Sequence, residues 1–188
     1  MRIIVQEWIT LDGVFDAATF DEWFGAYHSE ERAAHIQDNI LGCDALLMGA
    51  NTYESLAPYW SSLRSNEMGI ADKLNRSPKY VVSREPLQSE WENTQPRIEG
   101  DVAGEVARLK EQSGGYLLVP GSARLVQTLM GAGLADEYRL LIHPVVLGHG
   151  KRFFAEGMPM TRLEPIATEQ LPYGVLATTY APAEGTRS

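Results

Sequence analysis

Residues 116–148 read YLLVPGSARLVQTLMGAGLADEYRLLIHPVVLG, and this stretch decides the fold. Tyr116, Leu117, Leu118 and Val119 make a short apolar run that Pro120 and Gly121 stop, as expected of a buried strand. Ser122 then opens a helix over 122–130, and Gly131 and Gly133 follow it as a stop signal. A second strand pattern covers 138–143 and ends before Pro144. Strand, helix, strand in that order predicts parallel strands joined by a right-handed crossover.

The same alternation extends toward the N-terminus. Residues 2–9, rich in Ile, Val and Trp, read as a buried strand, and Thr10-Leu11-Asp12-Gly13 as a turn. Residues 14–28 carry Phe15, Phe20, Trp23, Phe24 and Tyr27 and predict an aromatic-rich loop or short helix. A helix over 29–41 follows, with Ser29 as its cap, Glu30 and Glu31 at its positive end, and Ile36 and Ile40 on one face. Ala45 to Met48 is a strand ended by Gly49. Asn51 is expected to cap a second helix through Leu56, with an extension to Leu63 that Pro58 should disturb. Strand 79–83, irregular residues 84–100 and a helix over 101–112 capped by Asp101 complete the central part. Toward the C-terminus, 163–171 and 174–181 predict an antiparallel pair around Pro172-Tyr173-Gly174. The fold class is therefore α/β, one domain over 1–181, with 182–188 a flexible tail.

Composition narrows the function. The 188 residues carry a net charge of −9, which argues against a nucleic-acid surface, since phosphate backbones need a basic patch. An anionic ligand must then be held by backbone amides and a few local arginines. Cys43 is the single cysteine, reads as a small buried filler and leaves no intrachain disulfide. No apolar run reaches the length of a membrane span, and the first residues run straight into a strand pattern, so a cytoplasmic protein is expected. The four histidines show no metal-ligand spacing, and no metal is expected.

Three strand ends carry polar or glycine-rich turns: Gly49-Ala50-Asn51-Thr52, Ser83-Arg84 and Gly121-Ser122-Ala123-Arg124. In an open parallel sheet, ligands bind beyond the carboxyl ends of the strands. Two of these turns open helices, whose unpaired N–H groups and partial positive charge suit phosphate. The plainer alternative is that Gly121 makes a tight turn and Ser122 caps its helix. Gly148-His149-Gly150-Lys151 resembles a P-loop fragment without its first glycine and final hydroxyl residue. Asp12 reads either as a turn residue or as a carboxylate facing a pocket. In the second case, aromatics between Phe15 and Trp23 shield it and raise its pKa for proton donation.

These elements come in an order that resembles the bacterial dihydrofolate-reductase-like family. They are TLDG at 10–13, LMGANTYE at 47–54, KYVVS at 79–83, GSARL at 121–125, GLADEYRL at 133–140, HPVVLG at 143–148 and GKRFF at 150–154. The chain is similar to the C-terminal reductase domain of the bifunctional riboflavin-synthesis deaminase-reductase, over roughly residues 1–181. The resemblance implies a three-layer fold, mostly parallel with antiparallel edge strands at the C-terminus, and NADPH across the sheet edge. It places Gly49, Asn51 and Thr52 at cofactor phosphate and Ser83 and Arg84 near the adenosine 2′-phosphate. Val119, Gly121, Ser122, Ala123, Arg124 and Leu125 follow the pyrophosphate and nicotinamide side.

The implied reaction is hydride transfer to a C=N or C=O bond of a small heterocyclic or sugar-derived substrate. One version of this is the riboflavin-pathway substrate 5-amino-6-(5-phosphoribosylamino)uracil. Two departures stand out. Ala50 occupies a position that is commonly Arg, which removes one charge-assisted contact. Pro120 precedes Gly121, where relatives have a second glycine, which removes one N–H donor. The competing expectation is a nucleotide- or small-molecule-binding protein that kept the fold without turnover. A homodimer is expected, because relatives are commonly dimeric and Val145-Val146-Leu147 and Phe153-Phe154 are apolar enough to form a shared patch.

Overall fold

The computed structural model describes residues 1–154, 156–158 and 160–183. The chain begins with β1 (Arg2–Thr10), then a short helix α1 (Phe20–Trp23) between two 3₁₀ turns, and α2 (Glu30–Gly42). β2 (Ala45–Gly49), α3 (Ala50–Trp60), α4 (Ala71–Arg76) and β3 (Lys79–Val82) follow. Next come α5 (Val102–Glu111), β4 (Tyr116–Val119), α6 (Ala123–Gly131) and β5 (Glu137–His143). The hairpin of β6 (Leu163–Gln170) and β7 (Leu176–Pro182) closes the fold.

The seven strands form one sheet in the order β3-β2-β4-β1-β5-β7-β6. β1, β2, β3, β4 and β5 are parallel to their neighbours in that run, while β7 pairs antiparallel with β5 and with β6. The expected α/β class and its antiparallel C-terminal edge are therefore both present.

Alternation along each central strand sends its side chains to two helical layers. Ile3, Val5, Ala45, Leu47, Leu117 and Val119 pack with Val106 and Leu109 of α5 and with Leu125, Val126 and Leu129 of α6. Ile4, Leu46, Met48 and Leu118 face the other way, onto Tyr53 and Ala57 of α3 and Leu74 of α4. Cys43 is buried in this second layer, where desolvation pushes its thiol up to about 11, as befits a filler.

Local chemistry explains most boundaries. Ser29 accepts from the Arg32 N–H at 3.1 Å and Asp101 from the Gly104 N–H at 3.0 Å, so α2 and α5 start at the expected caps. α3 departs from expectation. It begins at Ala50 with Gly49 in the cap position, so Asn51 lies exposed in its first turn and caps nothing. It also carries Pro58 through to Trp60, at the cost of one N–H donor in its last turn. α4 has too short a pattern to show in the sequence and is held by burial of Ala71 and by Leu74, which packs with Tyr53 and Ala57 of α3. β7 continues through Pro182, and the Ala183 N–H donates to the Arg162 carbonyl at 2.9 Å. The rest of the expected tail, 184–188, lies outside the described residues.

Of the segments proposed as a shared patch, Phe153 is fully buried, edge-on to Phe15, whereas Val146 and Phe154 are exposed. No helix among the described residues is long and apolar enough to cross a membrane.

Candidate active site at the sheet edge

Parallel strands bring the carboxyl ends of β1, β2, β3 and β4 to one edge of the sheet, where α3 and α6 begin. Gly49 and Ser122 occupy the cap positions of these two helices, and neither start receives a side-chain hydrogen bond. This contrasts with α2 and α5, whose caps are filled. Ser122 thus does not act as the side-chain cap it resembles in sequence. Among the described residues no cap side chain accepts from the first-turn amides of α3 and α6, at the positive ends of both dipoles.

The two starts are close together. A Cβ on Gly49 would lie 2.3 Å from the Ser122 Oγ. Gly121 has φ +91°, a conformation that glycine adopts freely, and its peptide bond to Ser122 is cis. A Cβ on Gly121 would lie 3.3 Å from the Thr52 Oγ1 and 3.6 Å from the Glu7 Oε1. Gly49, Thr52, Gly121 and Ser122, predicted from separate motifs, therefore meet at one junction, where the atoms nearest the two glycines are the side chains of Ser122, Thr52 and Glu7.

The remaining predicted residues divide. Ala123 is half-buried and Arg124 exposed, both in the first turn of α6. Val119 and Leu125 point their side chains into the core, so only their main chain can face a ligand. Ser83 is buried and its hydroxyl donates to the Glu85 carbonyl at 2.6 Å, which commits that donor to the loop. Arg84 is exposed beyond the end of β3.

Asp12 contradicts the role of shielded acid. Its carboxylate accepts from the Thr10 hydroxyl at 2.6 Å and from the N–H groups of Leu147 (3.2 Å) and Gly148 (2.9 Å), and pairs with Arg152 at 3.6 Å. The Thr10 hydroxyl and these amides hold it down at about pKa 2. A group so held is a carboxylate at neutral pH and has no proton to give. It ties the first turn to the loop after β5. Asp16–Lys151 and Glu22–His149 ion pairs, at 3.6 and 3.4 Å, extend the same clasp. The P-loop-like Gly148–Lys151 segment therefore serves this clasp.

The expected aromatics lie on the α2 side of β1. Trp8 stacks on Phe24 at 4.7 Å between ring centroids, Phe20 stacks on Phe24 at 5.3 Å, and Trp23 packs edge-on to His143 at 4.8 Å. Phe15 belongs to the opposite layer and cannot join them. Arg32, buried, lies over the Phe24 ring at 4.1 Å and donates to the Phe24 carbonyl at 2.8 Å. Its guanidinium also faces His143 Nε2 at 3.3 Å. Desolvation, with the Arg32 charge adding to it, brings the His143 pKa down to about 4.

Sequence reading missed Glu7. It sits in β1, 8% exposed, with its Oε1 unpartnered, and burial raises its pKa well above the carboxylate range. A glutamate inside an apolar strand was the available signal, because Glu is among the residues least often buried. A cavity of about 1010 Å³ lies elsewhere, between α3, α4 and the loop after β3, and is lined by Tyr53, Asn75, Arg76 and Trp91 among others.

Residues 1–177 match the family described as the RibD C-terminal domain. The chain belongs to that family. RibD C-terminal domains are reductases, so at family level the chain stands among the oxidoreductases. Uncharacterized protein YyaP of Bacillus subtilis (strain 168) is 30% identical over 185 residues, 95% of this chain and 94% of its own length. A putative riboflavin biosynthesis protein from Shewanella sp. PV-4 shares the fold with a TM-score of 0.78 at 20% identity, covering 98% of this chain and 100% of that one. Dihydrofolate reductase from Enterococcus faecalis, complexed with NADP(H) and RAB-propyl, has a TM-score of 0.67 at 16% identity over 97% of both chains. The dihydrofolate-reductase-like architecture expected from the sequence is thereby established.

Proposed function

We propose that the protein is an NADPH-dependent reductase that adds hydride to a C=N or C=O bond of a small heterocyclic or sugar-derived substrate. One observation carries this reading: the Gly49–Ser122 contact brings two helix starts without side-chain caps to the same gap. Two partial positive ends brought to one place suit a diphosphate. The residues fit such a group, since a side chain at Gly49 or Gly121 would crowd Ser122 or Thr52, and the buried Glu7 carboxyl beside them has an unpartnered oxygen.

A bound reduced nicotinamide would supply the hydride. The first-turn amides of α3 and α6 hold the diphosphate. Arg84 stands two strand spacings from β4, or about 10 Å. That is a suitable reach for pairing with a 2′-phosphate. Trp8, Phe20 and Phe24 give a flat ring an apolar wall and keep water from it. Membership of the RibD C-terminal family favours 5-amino-6-(5-phosphoribosylamino)uracil within this substrate class.

The second reading, a binder without turnover, is favoured by one observation: Asp12 is held as a carboxylate and cannot serve as the acid. Calorimetric titration with NADPH and NADH, followed by NADPH oxidation with that pyrimidine, separates the cases. The reductase reading expects saturable NADPH binding and steady oxidation. Binding without oxidation selects the binder, and no binding of either dinucleotide defeats both readings. The proposal includes a homodimer through Val146 and Phe154, both exposed, and sedimentation at the 20.8 kDa monomer mass at tens of micromolar would refute it.

A further inference from the structure

Glu7 occupies a row of β1 that is otherwise apolar. Ile3, Val5 and Ile9 on the same face pack into the core beneath α5 and α6. A Leu in place of Glu7 would leave no polar atom to satisfy, whereas a buried carboxyl oxygen without a partner is costly. Gln6 and Trp8 also carry unpartnered buried atoms, but they alternate to the opposite face, toward α2.

The register shows what lies beside Glu7. The last pair between β1 and β4 is Val5↔Val119, whereas β1 stays paired with β5 through Thr10↔His143. Beyond Val119 the chain turns away through Pro120 and Gly121 into α6, so Glu7 stands at the split between two parallel strands. A point one Cβ bond out from Gly121 lies 3.6 Å from the Glu7 Oε1 and 3.3 Å from the Thr52 Oγ1. Strand β1 and the start of α3 thus each bring one polar group to the turn before α6. Burial raises the carboxyl's pKa well above its ordinary value, which favours the protonated form; in that form it offers an O–H and adds no charge beside a phosphate.

We propose that Glu7 is a cofactor-contacting residue, whose carboxyl O–H donates a hydrogen bond to an oxygen of the dinucleotide's ribose-diphosphate portion, held at the starts of α3 and α6. This rests on the reductase reading above. The assignment explains why the strand keeps an acid where an aliphatic side chain would pack better. It also gives the cofactor gap a side-chain donor beside its amides.

The test is titration of the intact protein with NADPH, followed by tryptophan fluorescence, in wild type, Glu7→Gln, Glu7→Leu and Gly49→Ala. Thermal melting of each variant runs alongside. Glu7→Gln keeps an uncharged donor of the same shape and should stay within about threefold of wild type. Glu7→Leu should weaken NADPH by about tenfold or more while melting at or above wild type, because the unpaired carboxyl is gone. Glu7→Met, nearly isosteric, gives the same answer should leucine disturb the packing. If Glu7→Leu and Glu7→Met bind NADPH as wild type does while Gly49→Ala weakens it, the role of Glu7 is overturned and the reductase reading stands. If wild type itself does not bind NADPH, both fall.

Discussion

Gly49 and Ser122, 73 positions apart in the sequence, touch at the ends of two strands that are neighbours in the sheet: a Cβ on Gly49 would lie 2.3 Å from the Ser122 hydroxyl oxygen and 3.2 Å from its Cβ. The start of α3 and the start of α6 can approach this closely only because position 49 has no side chain. The gap between them is where the candidate ligand phosphates belong.

Gly49→Ala tests that gap more cleanly than a change at Gly121. Gly49 has φ −79°, which alanine adopts without strain, so the added methyl acts by displacing the Ser122 hydroxyl into the gap. The expected result is NADPH affinity lower by about tenfold, at a stability cost below about 1.5 kcal/mol. Gly121→Val, by contrast, forces a β-branched residue to φ +91° and should lose about 1–3 kcal/mol of stability as well as binding. Calorimetric titration and melting on both variants check the contrast. Unchanged affinity in Gly49→Ala would remove the gap from the ligand site.

Arg84 is exposed beyond the end of β3, with the end of β2 between it and β4. If it pairs with a 2′-phosphate, Arg84→Ala should weaken NADPH by about tenfold and leave NADH alone, since a charge-assisted pair is lost only for the phosphorylated cofactor. Parallel titrations with the two cofactors measure this, and an equal loss for both rules the pairing out.

Asp12→Asn should impair folding more than turnover, the reverse of what the sequence suggested. The carboxylate holds the Thr10 hydroxyl, two amides and Arg152 at once. Asparagine keeps the shape but gives up one acceptor oxygen and the charge, at about 1–3 kcal/mol. The folded pKa, about 2, is below the ordinary 3.8, so the carboxylate's contribution is complete above about pH 4 and disappears as pH falls toward 2. Wild type and variant should therefore differ in melting temperature at neutral pH and converge through that acid window. A turnover loss of a hundredfold at unchanged stability would restore Asp12 as an acid.

His143 predicts acid sensitivity at a milder pH. Its Nδ1–H faces the carbonyls of Ile9 and Leu141 at 3.2 and 3.1 Å, which leaves Nε2 to accept from Arg32. The folded pKa is about 4, against 6.5 for the free side chain, so between those values the unfolded chain binds more protons. Stability from this residue is complete above pH 6.5 and is lost as pH falls toward 4, up to about 3 kcal/mol. His143→Gln should melt at a lower temperature at pH 7 but show a flatter decline through that window. A variant with the wild-type slope would assign the acid lability to other groups.

The periodicity in the sequence accounts for the elements that bury a whole stripe or row. Ile3 with Val5 on β1, and Leu117 with Val119 on β4, needed no structure to be placed inside. The glycine and serine turns at the strand ends were legible for a related reason, since glycine permits the tight positive-φ turn that Gly121 makes before α6. What escaped depends on contacts far apart in the chain. Asp12 looks the same in sequence whether it opens into a pocket or accepts from Leu147 and Gly148, 135 and 136 positions later. Lys79 likewise reads as an ordinary strand lysine. It is fully buried, its Nζ donating to the carbonyls of Asn75, Ser77 and Glu92 at 2.7–2.9 Å. Desolvation lowers its pKa to about 8, and three main-chain acceptors replace the water that the ammonium gave up. Glu7 is the opposite case, visible as an anomaly but without meaning until β4 is seen to leave β1 at Val119.

The position of β1 sets a timetable for biosynthesis. β1 is made before β4 and β5, which flank it in the finished sheet, so it has no partner until residue 116, and none on its other edge until residue 137, has left the ribosome. β2 and β3, whose segment is complete at residue 82, can pair long before that. For most of translation the Ile3-Ile4-Val5 segment therefore waits with both edges open, the condition in which nascent chains attract chaperones or one another. A fragment ending before β4 should aggregate through this strand, and one extending past β5 should be the first to hold it.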